Sequence, residues 1–141
     1  MRFLLDSNIL SEPTRKCPDP QVMRRLQRNK ALCATAAPVI HELRFGIERL
    51  MPGKRQNRLR SYLDNLLRQN LPVLPYDLSA AQLHATAKTE LAAQGVTLSH
   101  VDGQIAAIAQ NEDLILVTRN ERHFRIFPGL RVENWFDSED A

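Results

Sequence analysis

Cysteine is scarce: the 141-residue chain has two, Cys17 and Cys33. That is too few for a disulfide framework, and nothing else points to an oxidising compartment. Cys33 lies in the apolar run 31–34 and reads as packing rather than as a reactive thiol. Cys17 lies in a polar, proline-rich loop, and a bridge between the two stays open. Glycine is scarce as well, at five residues, and no Walker loop or glycine-rich phosphate cradle occurs. There is no HExxH zinc motif and no defensible Ser-His-Asp order. No run approaches the ~20 apolar residues of a membrane helix, and Phe3-Leu4-Leu5 ahead of Asp6 is too short for a signal peptide. The expected location is the cytoplasm, with no membrane partner. Repeats, low-complexity segments and linkers are missing too, so residues 1–141 read as a single domain.

What is present is an ordinary globular composition, 43% hydrophobic and 25% charged, with a net charge of +3. The charge is unevenly placed. Beyond Arg131 the chain carries Glu133, Asp137, Glu139 and Asp140 and no lysine or arginine, which makes 133–141 an acidic C-terminal tail and leaves the body more basic than the total. A basic body is the footprint of a polyanion partner. Simple solubility charge accounts for it about as well.

Apolar patterning gives alternating strands and helices. Phe3-Leu4-Leu5 reads as a buried strand closed by the turn-forming cluster Asp6-Ser7-Asn8. A helix over about 19–28 follows, opened by Pro18 and Pro20, with Arg24, Arg25 and Arg28 on its polar face. The segment 31–35 reads as a second strand. Pro38 opens a helix with Val39, Leu43, Ile47 and Leu50 at helical spacing, ended by Pro52-Gly53. A third helix covers about 54–69. Val73-Leu74-Pro75 is a short strand whose prolines favour an edge. Helices follow from Ser79 as N-cap to Gly95, and from Ser99 onward. The segment 114–118 is the clearest strand, and 130–133 a weaker last one. This alternation predicts an α/β sandwich with a mostly parallel central sheet.

In such sheets, ligands sit outside the carboxyl ends of the strands. Asp6 follows the first strand and Asn120 the 114–118 strand. Glu42 and Asp102 lie in first turns of helices, so all four converge on one edge. Each has a plain structural alternative: Asp6 and Asn120 as turn formers, Asp102 as partner of Ser99 in a capping box, Glu42 as a solvated residue near a favourable dipole end. Jointly those alternatives weaken, because four separate accidents would share one side. Clustered carboxylates repel unless a cation intervenes. Oxygen ligands without cysteine or histidine suit Mg²⁺, with Mn²⁺ as its substitute, rather than zinc. An acidic metal site on a basic body is what a phosphodiesterase needs. Of the histidines, His41 and His100 flank Glu42 and Asp102 within reach of a substrate; His84 falls within a helix and His123 in a loop.

Four segments carry a resemblance: 4–13 (LLDSNILSEP), 39–47 (VIHELRFGI), 101–107 (VDGQIAA) and 117–124 (VTRNERHF). They resemble, in order, the four signature blocks of PIN-domain proteins, nearest to the VapC/FitB-like toxins of type II toxin–antitoxin pairs, and the likeness runs through 132–135 (VENW). The resemblance implies the PIN α/β/α sandwich and Mg²⁺-dependent endoribonuclease activity, often on tRNA or another structured RNA. It also implies a VapB-like antitoxin partner, a homodimer, a larger assembly with the antitoxin, and DNA contact only through the antitoxin. Asp6, Glu42 and Asp102 match the family's acidic positions. Asn120 stands where the family often has Asp, which removes a charge and implies one firmly held ion rather than two. Ser7, Asn8 and Thr118 match supporting hydrogen-bonding positions. The implied mechanism is in-line attack by a metal-activated water, with Asp6 and Asp102 holding the ion and Glu42 completing the shell or positioning the water. Arg44, Arg119 and the basic run Lys54, Arg55, Arg58 and Arg60 are candidate RNA phosphate contacts. A PIN-like module that binds without cutting is the main alternative. A receiver-like signalling domain fits worse, since the late strand ends in Arg119-Asn120 rather than in a lysine.

Overall fold

A computed structural model describes residues 1–136. The strands are β1 (Phe3–Leu5), β2 (Cys33–Ala36), β3 (Val73–Leu74), β4 (Ile115–Val117) and β5 (Val132–Glu133). They form one sheet in the order β3-β2-β1-β4-β5, and every pairing is parallel. β3 is an edge, as its flanking prolines require. Successive strand residues face opposite sides of a sheet. All of Phe3, Leu4 and Leu5 are buried, and so are all of Ile115, Leu116 and Val117, so helices cover both faces.

Among the described residues, seven α-helices make those covers: α1 (Ser7–Leu10), α2 (Pro20–Arg28), α3 (Ala37–Glu48), α4 (Lys54–Arg68), α5 (Leu78–Ala93), α6 (His100–Asn111) and α7 (Glu121–Phe124). The chain moves outward from β1 through β2 to β3, then returns to lay β4 on the other side of β1. That reversal makes the gap between β1 and β4 a topological switch point, where a crevice opens at the strands' carboxyl ends. Asp6 and Thr118 are the first residues past those ends, and the Leu5↔Val117 register sets them side by side.

Several local expectations need correction. The cluster Asp6-Ser7-Asn8 opens α1 rather than a simple turn, because the Asp6 carboxylate accepts the Ser7 N–H as an N-cap. The segment before β2 forms a 3-10 turn over Lys30–Leu32, so the strand starts at Cys33. The cap of α5 is Asp77, whose Oδ1 accepts the Ala80 N–H, not Ser79. His123 lies in α7 rather than in a loop. Both cysteines are free, Cys33 buried and Cys17 exposed. Glu133, read both as the end of the last strand and as the start of the acidic tail, pairs in β5 as the strand reading has it, and Trp135 packs edge-on against Phe3 at 5.1 Å. The remaining tail acids, Asp137, Glu139 and Asp140, lie outside the described residues.

Side chains tie the helices around the crevice. Tyr62 on α4 donates its hydroxyl to the Leu10 carbonyl of α1 at 2.6 Å, and burial pushes that phenol up to about 12. Gln56 Nε2 donates to the Ile47 and Leu50 carbonyls at 3.1 Å each, tying α4 to the C-terminal end of α3. α5 packs close on α6 at Gly103, where a Cβ would overlap the His84 imidazole. The residue after Asp102 therefore has to be the smallest one.

Candidate active site

Asp6 is 4% exposed, and both its carboxylate oxygens are engaged. Oδ1 accepts the Ser7 N–H at 2.8 Å, and Oδ2 accepts the Thr118 hydroxyl at 2.8 Å. Thr118 Oγ1 in turn accepts the Asn120 N–H at 3.1 Å and Asn8 Nδ2 at 3.5 Å, while Asn8 Oδ1 accepts the Arg119 N–H at 3.1 Å. Ser7, Asn8 and Thr118 thus stitch the loop after β4 to the start of α1 and fix one carboxylate between them. Burial still pushes Asp6 above the usual carboxylate range; its two hydrogen bonds oppose that, and the Asp102 charge adds to it.

Glu42 rides on the second turn of α3. Its Oε1 is buried with no hydrogen-bond partner among the described residues. Burial, and then the charges of Asp6 and Asp102, push it up to about 6. Asp102 sits in the first turn of α6. Its N–H is donated to Ser99 Oγ at 3.2 Å, so the serine does cap the helix. The Asp102 carboxylate is not the return partner of a capping box, because Oδ2 meets His123 Nε2 at 2.7 Å. Asn120 is an exposed N-cap of α7 that reaches the cluster through its backbone N–H.

Topology thus brings Asp6, Glu42 and Asp102 into electrostatic reach of one another. Among the described residues, no three His, Cys, Asp or Glu side chains stand close enough to ligate one ion together. That spacing suits magnesium, which takes one or two carboxylates directly and keeps several waters. An all-oxygen donor set, an unpartnered buried oxygen on Glu42 and two carboxyls raised in part by neighbouring negative charge all fit a hard divalent cation.

The basic candidates divide. Arg44 pairs with Asp64 at 2.9 Å and Arg60 with Glu48 at 3.1 Å. Arg119 lies 4.4 Å over the Phe136 ring. Lys54, Arg55 and Arg58 are exposed, with no ion pair among the described residues. His41 is exposed beside Phe45, and His100 packs against His84, whose Nδ1 meets the Tyr76 hydroxyl at 2.8 Å. His123 is the residue that the sequence placed wrongly and that touches the site. The usable signal was Phe124, an apolar residue four past Asn120, which is buried and anchors a helical turn that presents His123.

Known proteins are similar to this chain in sequence and in fold. The PIN domain family matches residues 3–129. The tRNA(fMet)-specific endonuclease VapC of Shigella flexneri is 31% identical over 136 residues, covering 96% of this chain and 98% of its own. The crystal structure of FitAcB from Neisseria gonorrhoeae superposes with a TM-score of 0.87 at 29% identity, covering 96% and 99% of the two chains. DNA-bound VapBC from Salmonella typhimurium superposes with a TM-score of 0.83 at 28% identity, covering 96% and 98%.

Proposed function

We propose, given that the chain belongs to the PIN-domain family and is a VapC-type ribonuclease toxin of a toxin–antitoxin pair, that it hydrolyses RNA phosphodiesters at a divalent-cation site formed by Asp6, Asp102 and Glu42, with one or two of the carboxylates binding the ion directly and the rest through its waters. The observation that carries this is Glu42: half-buried, with a buried Oε1 that has no hydrogen-bond partner among the described residues, and pushed up to about 6 by burial and by the Asp6 and Asp102 charges. A bound Mg²⁺, or Mn²⁺ in its place, would lower the pKa of a water and stabilise negative charge at phosphorus. Asp6, immobilised by Ser7 and Thr118, offers a fixed ligand direction. Asp102 offers a second. Glu42, with its free oxygen, completes the shell or orients the attacking water and takes up its proton. Asn120 stands at the rim as a neutral donor and acceptor, which keeps the site at three negative charges and favours one ion.

The partner on this reading is an antitoxin protein, as in the FitAcB and VapBC assemblies, with a homodimer of this chain inside the complex and DNA reached only through the antitoxin. The cytoplasm is the compartment in which such a toxin meets its RNA. The relative from Shigella is named for a tRNA, so tRNA is the structured substrate to try first. Asn8, Arg119 and Arg55 stand where phosphates would approach.

The test compares wild type with Asp6→Asn and Asp102→Asn on total cellular RNA, with Mg²⁺ and with EDTA. Cleavage confined to wild type with Mg²⁺ is expected. Equal cleavage by the variants, or cleavage that survives EDTA, overturns the reading.

A further inference from the structure

Two cavities adjoin each other beside the acidic site. One, of about 520 Å³, is lined by Ser7, Asn8, Glu42, Thr14, Arg15 and Arg55 and otherwise mostly by leucine and isoleucine side chains. The second, of about 490 Å³, continues past Arg15 and Arg55 to Lys16, Cys17 and Arg58. Thr14, Arg15, Arg55 and Leu59 belong to both walls, so the two cavities are neighbours that between them extend from Glu42 to a group of four cations. Among the described residues, no acidic side chain lines the far cavity.

This basic group is built from two elements. Arg55 and Arg58 stand three apart on α4 and so share a face. Arg15 and Lys16 follow the 3-10 turn Glu12–Thr14 and approach from the other side. Glu12 is 1% exposed, and its Oε1 accepts from Arg15 Nη1 at 3.2 Å, so a buried carboxylate anchors the guanidinium while leaving 60% of the arginine side chain exposed. Arg44 and Arg60, on α3 and α4, are already held by acids. Lys16, Arg55 and Arg58 have no ion pair among the described residues.

The geometry points to a phosphate-binding subsite: the cleft lined by Arg15, Lys16, Arg55 and Arg58 takes the sugar–phosphate backbone of the RNA strand leading away from the scissile bond. This rests on the ribonuclease reading and assigns where that substrate lies. Arg15 serves the phosphates nearest the carboxylates, set in place by Glu12. Lys16 and Arg58 serve those further out. The leucine wall at Leu59 gives the strand an apolar side. A sequence-tolerant track of this kind fits single-stranded RNA, whose every nucleotide presents a phosphate.

Cys17 provides a direct probe, because it lines the far cavity and the other thiol, Cys33, is buried. In EDTA, with the full chain, binding of a fluorescein-labelled single-stranded RNA is followed by anisotropy across a salt series. Lys16→Ala, Arg55→Ala and Arg58→Ala are each expected to weaken binding and to flatten the slope of log Kd against log salt by about 0.7, the share of one phosphate contact. Lys88→Ala, an equal charge loss on α5, leaves the slope unchanged. Saturating RNA is expected to slow iodoacetamide alkylation of Cys17. Wild-type slopes in all three cleft variants, or alkylation that ignores bound RNA, overturn the proposal. Protection of Cys17 by an acidic peptide but not by RNA also overturns it, and makes the cleft a protein-binding face. The nuclease reading is decided separately, by cleavage in the Asp6→Asn comparison with Mg²⁺.

Discussion

The two flanks of the acidic site are built differently. On the strand flank, Asp6 leaves β1 directly, is nearly inaccessible, and has both oxygens held by Ser7 and Thr118. On the helix flank, Glu42 and Asp102 hang from a second and a first helical turn; among the described residues Glu42 has an oxygen with no partner, and the Asp102 carboxylate is hydrogen-bonded to His123 alone. The first flank is rigid before anything binds, whereas the second is incomplete until something does. Such a division suits a site that must fix an ion in one direction and still adjust to a phosphate.

Removing the fixed end gives the largest effect. Asp6→Asn is expected to lower RNA cleavage by at least about 10²-fold, since loss of an inner ligand exceeds the 10–100-fold typical of its supports. The same change relieves a buried charge raised by desolvation and by Asp102, so the metal-free variant melts at or above the wild-type temperature. Calorimetry with and without Mg²⁺ checks both halves. A variant that still gains stability from Mg²⁺ as wild type does would contradict Asp6 as the anchor.

Loosening that end without removing it comes next. Thr118→Val keeps the shape but deletes the hydroxyl that donates to Asp6 and accepts from the Asn120 N–H and Asn8. Metal affinity should fall about 10–100-fold, with about 1–3 kcal/mol lost from folding through the unsatisfied groups. Manganese titration gives the first number and urea melting the second. On the other flank His123→Gln should weaken metal binding less, about 10-fold at most, because the pair is partly solvated: the His123 side chain is 46% exposed and that of Asp102 25%. If His123→Gln proves as damaging as Thr118→Val, the contrast between a rigid and an adaptable flank fails.

The strand flank was also the part legible in the sequence. Phe3-Leu4-Leu5 and Ile115-Leu116-Val117 are apolar at every position, which only a sheet covered on both faces explains, and the polar residue that ends each run had to stand at a carboxyl edge. Asp6 follows from that alone; past the 114–118 segment the pattern points to Asn120, and Thr118 enters as a supporting residue only through the family resemblance. The helix flank was less legible. That Glu42 and Asp102 lie beside the crevice follows from their place near helix starts on the side of the strand ends, but not that one oxygen of Glu42 has no partner among the described residues. The contact of His123 with Asp102 joins residues 21 apart through a turn too short to announce itself by periodicity. The start of α1 was hidden for another reason: Asp-Ser-Asn is good chemistry both for a turn and for a helix cap, and tertiary packing of Ile9 and Leu10 decides between them.

The smallest effect isolates the incomplete flank. Glu42 has its carboxyl pushed from the ordinary 4.5 to about 6, first by burial and then by Asp6 and Asp102. The native state therefore binds this proton more tightly than the unfolded chain. Its contribution is full below about 4.5 and is lost as pH rises through about 6. Metal-free protein should thus lose about 1 kcal/mol across that window, discounted for the solvent around a half-buried group. Other carboxylates titrate nearby, so the readout is the difference between melting curves of wild type and Glu42→Gln, which cannot ionise. Mg²⁺ competes with the proton and should invert the trend, stabilising wild type more as pH rises. A difference curve that is flat in EDTA would place Glu42 outside the field of the other two acids. One that slopes downward in EDTA and upward in Mg²⁺ would tie the adaptable flank to the same ion that Asp6 anchors.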